Sequence, residues 1–181
     1  MTHEPAEGVA DGLPFERLWT PHRLAYITTE SPTGDDSGCP FDRVADDDAV
    51  GNLVVARGAT TYAVLNLHPY NPGHLMVLPY RHVAELEDLT TAESAELTTM
   101  TQQAIRALRS TARPHAFNIG MNLGGVAGGS LSEHLHQHVV PRWTGDASFI
   151  TVIGGTKVLP QLLADTRDLL RSAWPETGGV T

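Results

Sequence analysis

Three histidines alternate with other residues in one short segment of the chain. Residues 134–140 are His-Leu-His-Gln-His-Val-Val. Successive side chains of a β-strand point to opposite faces, so a strand over 134–143 would place His134, His136 and His138 on one face, roughly 6–7 Å apart. One imidazole nitrogen can then attack an electrophile while its neighbours bind anionic oxygens or move a proton.

A glycine-rich loop lies directly before these histidines. Four of the seven residues 124–130 are glycine, and the loop ends at Ser130. A loop with few side chains can turn its backbone N–H groups towards phosphate oxygens. A phosphate cradle beside a nucleophilic histidine indicates nucleotidyl transfer, in which the histidine carries the transferred group.

Spacing alone leaves two other interpretations open. Alternating histidines on strands also bind metal ions, and neutral imidazole suits zinc. The histidines could equally be structural, with the glycine-rich stretch a plain connection. The spacing alone is therefore compatible with three interpretations: histidine chemistry, a metal site and a structural role.

The elements that must position these histidines follow from local patterns. Thr90 and Glu93 form a capping-box signature, and the apolar spacing after it predicts an amphipathic helix over 91–111. β-rich runs separated by turn residues predict antiparallel strands. The fold class is therefore α+β, with a mostly antiparallel sheet, one long central helix and a C-terminal helix. The predicted strands are 53–57, 61–65, 74–79, 117–122, 134–143 and 149–153, and the other predicted helices are 21–27 and 160–174.

Length and composition bound the kind of molecule. The chain has 181 residues, of which 41% are hydrophobic and 18% charged, so we expect one globular domain over 15–174 with tails at 1–14 and 175–181. No apolar run is long enough for a membrane helix, and the N-terminus has no signal-peptide pattern. The single cysteine, Cys39, fits a reducing cytoplasm. A net charge of −9 argues against a nucleic-acid partner.

The histidine motif and a second segment together resemble the histidine-triad (HIT) superfamily. The family pattern is His-x-His-x-His followed by two apolar residues, as in 134–140; Gln137 occupies a position that is usually apolar, and we expect it to point away from the histidines. Residues 65–79 are similar to the family's upstream nucleotide-binding hairpin. The resemblance covers about residues 50–143. It implies a HIT fold, usually a homodimer whose two sheets join into one.

The resemblance also implies roles for individual residues. His136 corresponds to the nucleophile that attacks an α-phosphate, His138 to the neighbour that assists the leaving group, and the backbone around His134 to the part that orients the middle imidazole. Asn66 corresponds to the position that binds ribose hydroxyls. The remaining positions implied in substrate binding are His74, Asn122, Gly129 and Ser130.

A finer signature lies in 141–149, which together with 128–130 resembles the actinobacterial HIT-type diadenosine tetraphosphate phosphorylases. Those enzymes cleave the dinucleotide with inorganic phosphate. Many hydrolytic HIT enzymes carry Gln where this chain has Ser130, and a smaller side chain leaves room for an incoming phosphate. Trp143 is expected to stack on adenine, or alternatively to be a core or interface aromatic.

The resemblance further implies a structural zinc site. Some HIT proteins bind zinc with an N-terminal Cys-x-x-Cys pair, a histidine after the third strand and the first triad histidine. The matching residues here are Cys39, Asp42, His82 and His134. Asp42 stands in place of the second cysteine, and a carboxylate is an acceptable zinc ligand. The alternative is a loop cysteine and surface histidine without metal; the chemistry itself is expected to need no cofactor.

The resemblance therefore implies an enzyme that converts diadenosine tetraphosphate and phosphate into ATP and ADP through a nucleotidyl-histidine intermediate. The first alternative resolves the same intermediate with water, as a dinucleoside polyphosphate hydrolase or a nucleoside phosphoramidase. The second alternative is a non-catalytic nucleotide-binding module. A metalloenzyme is weaker because it leaves the upstream hairpin unexplained.

Overall fold

The structure is a computed structural model that describes residues 39–46, 53–128, 131–147, 151, 153, 156 and 158–175. The predicted tail 1–14, the predicted helix 21–27 and nearly all of the tail 175–181 lie outside these residues. No helix in the described ranges is both long and apolar enough to cross a membrane.

The described chain is an α+β structure, as the sequence predicts. Two single 3₁₀ turns occur at Leu86–Asp88 and Gly125–Ala127. The helices and strands, in chain order, are α1 (Pro40–Asp46), β1 (Val54–Arg57), β2 (Thr61–Leu65), β3 (Leu75–Pro79), α2 (Thr91–Ala112), β4 (Ala116–Met121), β5 (Gln137–Arg142) and α3 (Leu163–Ser172).

Five strands of the described chain form one antiparallel sheet in the order β1-β2-β3-β5-β4. The β1–β2 hairpin is confirmed, with Ala56 opposite Ala63. The turn before β3 contains Gly73 at φ +74°, and a Cβ there would lie 2.9 Å from the side chain of Leu108 on α2. This close approach holds the β2–β3 hairpin, which carries His74, against the helix.

Helix α2 begins at the predicted capping box. The Thr90 hydroxyl accepts from the backbone N–H of Glu93 at 3.2 Å, and the Glu93 carboxylate accepts from the N–H of Thr90 at 2.8 Å. Arg81 adds an ion pair to Glu93 at 2.8 Å, and chiefly this hydrogen-bonded pair lowers the pKa of Glu93 to about 2. The buried face of α2 covers one face of the sheet; it includes Leu97, Met100, Ala104, Ala107 and Leu108.

The two faces of the sheet have different partners. Val77 and Val139 pack under α2 in the larger hydrophobic cluster. Met76 and Leu78, on the opposite face, pack with Phe41 of α1 in a smaller cluster. His138 lies opposite Met76 in the sheet and therefore projects on this second face, the site face.

Two predicted strands need correction. The strand expected over 134–143 begins only at Gln137, because the backbone before it bonds to the loop after β3: the N–H of Leu135 donates to Val83 O at 2.6 Å. Thr151 and Ile153 are helical, so the strand expected over 149–153 is wrong at its two described positions.

Candidate functional site

Two of the three alternating histidines lie together at the start of β5. The ring centroids of His136 and His138 are 4.9 Å apart, with the planes nearly perpendicular. His136 is buried and His138 half-buried. Gln137, between them, points to the other face, where its side-chain amide donates to Thr101 Oγ1 of α2 at 2.6 Å. The expectation that Gln137 points away from the histidines is confirmed.

The protonation pattern of His136 follows from one contact. Its Nδ1 lies 2.8 Å from the carbonyl oxygen of His134. A carbonyl only accepts, so neutral His136 carries its proton on Nδ1 and has a lone pair on Nε2. This is the nitrogen that can attack an electrophile.

His138 has the opposite arrangement, which a chain of contacts sets. The backbone N–H of Tyr70 donates to Nδ1 of His74 at 3.1 Å, so neutral His74 carries its proton on Nε2. That Nε2 lies 3.0 Å from Nδ1 of His138. His138 therefore accepts at Nδ1 and carries its own proton on Nε2, where the N–H can donate a hydrogen bond to an anionic oxygen.

Burial keeps both members of this pair neutral. Burial, with smaller contributions from the charges of His138 and His136, lowers the pKa of His74 to about 3. Burial and the charge of His136 lower the pKa of His138 to about 4. At pH 7 both imidazoles are uncharged, so the hydrogen-bond directions above hold at neutral pH.

Two aromatic side chains enclose the histidine group. The ring of Phe41 in α1 lies 5.4 Å from that of His136 and 5.5 Å from that of His134. The ring of Tyr70 lies 4.8 Å from that of His74 and 5.9 Å from that of His138. Neither residue was predicted to belong to the site. Their positions in the sequence are the signal for them: Phe41 lies between two predicted metal ligands, and Tyr70 lies within the matched hairpin.

The other described residues that were predicted to bind substrate lie directly after strands β2, β4 and β5. Asn66, after β2, has its amide nitrogen 3.4 Å from Nδ1 of His74 and accepts from the N–H of His68 at 2.9 Å. Asn122 directly follows β4 and is half-buried. Trp143 follows β5, and its indole N–H donates to the carbonyl of Ala112 at 3.3 Å. Gly129 and Ser130 lie outside the described residues.

His74 itself is fully buried, with 0% of its surface exposed. Both of its ring nitrogens have partners in the hydrogen-bond chain. Its ring nitrogens therefore bind the Tyr70 backbone and His138, and the ring is not open to the site face.

A second cluster brings together the predicted metal ligands. One ligand atom from each of Cys39, Asp42, His82 and His134 lies within 4.8 Å of all the others. Nδ1 of His134 is 3.1 Å from one carboxylate oxygen of Asp42, and Nδ1 of His82 is 3.1 Å from the other. One thiol, one carboxylate and two imidazoles form a donor set that zinc accepts tetrahedrally.

The tautomer of His134 fits this set. Its Nε2 lies 2.9 Å from the carbonyl oxygen of Pro79, so the proton is on Nε2 and the lone pair of Nδ1 points at the other ligands. A carbonyl that fixes the second nitrogen is the usual arrangement around a metal-bound histidine. Mainly through burial, the pKa of His134 is lowered, which favours the neutral, ligating form.

The three imidazoles that the sequence pattern places on one face therefore belong to two separate clusters in the structure. The His134 ring belongs with His82, whose ring centroid is 5.2 Å away, in the cluster of metal ligands. The rings of His136 and His138 belong with His74.

Residues 50–145 match the family model for the HIT domain. The chain is 58% identical to the AP-4-A phosphorylase of Mycobacterium tuberculosis over 173 residues, which are 92% of this chain and 88% of that protein. It is 36% identical over 99 residues to an asymmetrical bis(5'-nucleosyl)-tetraphosphatase of Schizosaccharomyces pombe, covering 55% of this chain and 54% of that one.

Solved structures give the same fold. A Zn-bound histidine triad family protein from Mycobacterium smegmatis superposes with a TM-score of 0.62 at 28% identity, covering 75% of this chain and 92% of that one. A histidine triad nucleotide-binding protein from Sulfolobus tokodaii superposes with a TM-score of 0.62 at 22% identity, covering 75% and 91%.

Proposed function

This chain is a member of the HIT domain family, and on that premise we propose that it is a diadenosine tetraphosphate phosphorylase. The observation that carries the proposal is the pairing of opposite tautomers. His136 presents a lone pair at Nε2, and its neighbour His138 presents an N–H at the same ring position. A nucleophile beside a hydrogen-bond donor for the leaving oxygen is an arrangement suited to transfer of a nucleotidyl group.

The first half-reaction forms a bond to His136. Its Nε2 attacks the α-phosphorus of diadenosine tetraphosphate, the P–N bond forms, and the P–O bond to the rest of the molecule breaks. ATP leaves as an anion, and Nε2–H of His138 stabilises the departing oxygen with a hydrogen bond, keeping its proton. The carbonyl of His134 stabilises the positive charge that develops on His136, because it accepts the Nδ1 proton throughout.

The second half-reaction reverses the chemistry with a different acceptor. An oxygen of inorganic phosphate attacks the adenylyl group, the P–N bond breaks, and ADP leaves with His136 restored. We attribute the use of phosphate as the acceptor to Ser130, which is smaller than the glutamine that many hydrolytic HIT enzymes carry at this position. Asn66 is assigned to the ribose hydroxyls, Asn122 with the amides of Gly129 and Ser130 to the phosphates, and Trp143 to adenine.

The geometry supports a different role for His74 from direct substrate binding. It is buried between the Tyr70 backbone and His138. We assign it as a positioning residue that holds His138 in the tautomer whose Nε2–H donates a hydrogen bond.

The second candidate function uses water in place of phosphate. The match to an asymmetrical bis(5'-nucleosyl)-tetraphosphatase supports it, although that match spans about half of each chain. The same histidine group performs the first half-reaction in both cases. A purely nucleotide-binding role is disfavoured, because binding needs no such pairing of tautomers.

The test is product analysis by ion-exchange chromatography with diadenosine tetraphosphate, with and without phosphate. The proposal expects ADP and ATP, formed only when phosphate is present. AMP and ATP regardless of phosphate would establish the hydrolase instead. A covalent adenylyl adduct on wild-type protein, absent from His136→Ala, separates either enzyme from a binding module.

We propose that Cys39, Asp42, His82 and His134 hold a structural zinc ion. The arrangement of their ligand atoms and the Zn-bound histidine triad relative support this. The ion would fasten α1 to the loop after β3 and to the segment before β5. Its role is structural, and no step of the reaction runs through it.

We propose, finally, a homodimer in the cytoplasm, with no nucleic-acid or membrane partner. The support for the dimer is β4, an edge strand of the described sheet whose Ile119 is 47% exposed. Sedimentation velocity on the purified protein tests this: a species of about 39 kDa, twice the chain mass of 19.5 kDa, is expected.

A further inference from the structure

A cleft continues along the site face of the sheet beyond His138. Val140 and Arg142 follow His138 at two-residue steps on β5, so all three side chains project on the same face. Asn118 on β4 lies directly opposite Val140 and shares that face. From His138 to Arg142 the strand advances four residues, about 13 Å.

The cleft has a volume of about 290 Å³. Tyr70, Val140 and Ala147 supply apolar surface, and Asn118, Arg142 and Asp146 supply polar groups. Tyr70 joins the two regions, because its ring is 5.9 Å from that of His138 and 53% of its surface is exposed. The cleft therefore opens on the side of His138, the group that faces the leaving nucleotide in the proposed reaction.

The charges at the end of the cleft are paired. Arg142 binds Asp146 through two nitrogens, at 2.6 and 3.0 Å, and donates to the side-chain oxygen of Asn118 at 2.6 Å. Asp146 also accepts from the Asn71 amide at 2.8 Å and from the backbone N–H of Trp143 at 3.2 Å. The opposite charges of Arg142 and Asp146 make this end of the cleft locally neutral, and the hydrogen bonds hold its side chains in place.

A cleft with a neutral end and an aromatic and aliphatic lining suits an uncharged ring better than a phosphate. A phosphate would gain little from Arg142, because its guanidinium is already paired with the Asp146 carboxylate. An aromatic side chain with an open face stacks on a nucleobase, and side-chain amides bind the edge of one.

We propose that this cleft binds the second nucleoside of the dinucleotide, with its purine against Tyr70 and its polar edge towards Asn118 and Arg142. The inference rests on the proposed function and names the part of the substrate that the histidine group does not contact. The length from His138 to Arg142 matches a nucleoside joined through several phosphates, so the cleft selects long dinucleoside polyphosphates over mononucleotides.

The test compares diadenosine tetraphosphate with adenosine 5'-tetraphosphate, which lacks the second nucleoside but offers the same α-phosphorus. Ala147→Phe fills the cleft, and Asn118→Ala removes one polar partner. We expect each variant to lower kcat/KM for the dinucleotide, Ala147→Phe by about tenfold, the scale of one lost base-stacking contact. Neither should change kcat/KM for adenosine 5'-tetraphosphate. Ala95→Phe, at an exposed position of α2, is the matched control. It should leave kcat/KM unchanged for both substrates.

An equal loss for both substrates, or no loss for either, would overturn the proposal. If wild-type protein cleaves neither substrate, the proposed function fails separately, and calorimetry then decides on the cleft alone. Tighter binding of diadenosine tetraphosphate than of adenosine 5'-tetraphosphate, abolished in Ala147→Phe, would support it. Equal binding of the two would refute it.

Discussion

The carbonyl oxygen of His134 accepts the Nδ1 proton of His136 at 2.8 Å, while the imidazole of His134 lies among the four candidate metal ligands. One residue thus connects the two clusters: its backbone orients the nucleophile and its side chain completes the metal set. Phe41 adds a second connection, because its ring contacts both histidines. We therefore expect metal binding to affect catalysis through the orientation of His136.

Removing a metal ligand tests this link. Asp42→Ala should reduce zinc content well below one per chain and lower kcat by roughly 10–100-fold, the usual cost of losing a group that orients a catalytic one. KM should change little, because Asp42 belongs to the candidate metal set and is not assigned to substrate binding. Metal analysis and steady-state kinetics measure both effects. Glu87→Gln, on an exposed 3₁₀ turn, is the control; unchanged kcat in zinc-free Asp42→Ala would contradict the link.

Replacing His74 tests the hydrogen-bond chain to His138. His74→Phe fills a similar volume but cannot donate to Nδ1 of His138, so the proton of His138 is no longer held on Nε2. We expect kcat to fall by about 100-fold, the scale of losing one hydrogen-bond donor to a developing oxyanion, with KM nearly unchanged. His115→Phe alters an exposed histidine that bonds to Thr144, and it should leave kcat as in wild type. A loss confined to KM would indicate direct substrate binding by His74.

The low pKa values of His74 and His138 predict loss of stability in mild acid. Their folded pKa values are about 3 and about 4, against about 6.5 in an unfolded chain. The unfolded state therefore binds more protons below pH 6.5, and the stabilisation from neutral burial declines as the pH falls towards those values. The urea midpoint should be lower at pH 5.0 than at pH 7.5. His74→Phe should show a smaller decrease; an unchanged wild-type midpoint would refute the prediction.

The Glu96 carboxylate should be a strong contributor to stability. It accepts from the backbone N–H groups of Ala59, Thr60 and Thr61 in the β1–β2 turn. Although burial opposes it, the hydrogen bond from the Thr60 hydroxyl, together with these N–H groups, lowers the pKa of Glu96. Glu96→Ala leaves three amides without this acceptor and should cost about 2 kcal/mol of unfolding free energy. Glu96→Gln keeps one acceptor oxygen and should lose less, and exposed Glu85→Ala should lose almost nothing.

Much of the fold could be predicted from local signals. The capping box at Thr90 and Glu93 marks the start of α2 because both groups lie within four residues of each other. The β1–β2 hairpin and strand β3 could be predicted, because both are β-rich runs bounded by turn residues. The start of β5 could not be predicted, because the alternation of histidines begins at His134. The strand begins only at Gln137, since the backbone before it bonds to Val83, far away in sequence.

The sequence by itself determined which groups are available: alternating histidines, a matched hairpin with a fourth histidine, and four possible metal ligands. Only the tertiary structure decided how the histidines divide their work. The proton positions on the rings of His134 and His138 depend on partners 55 residues away, for His134 and Pro79, and 64 residues away, for His74 and His138. An imidazole has two similar nitrogens, and only the donor or acceptor placed against one of them by the fold determines what the other can do.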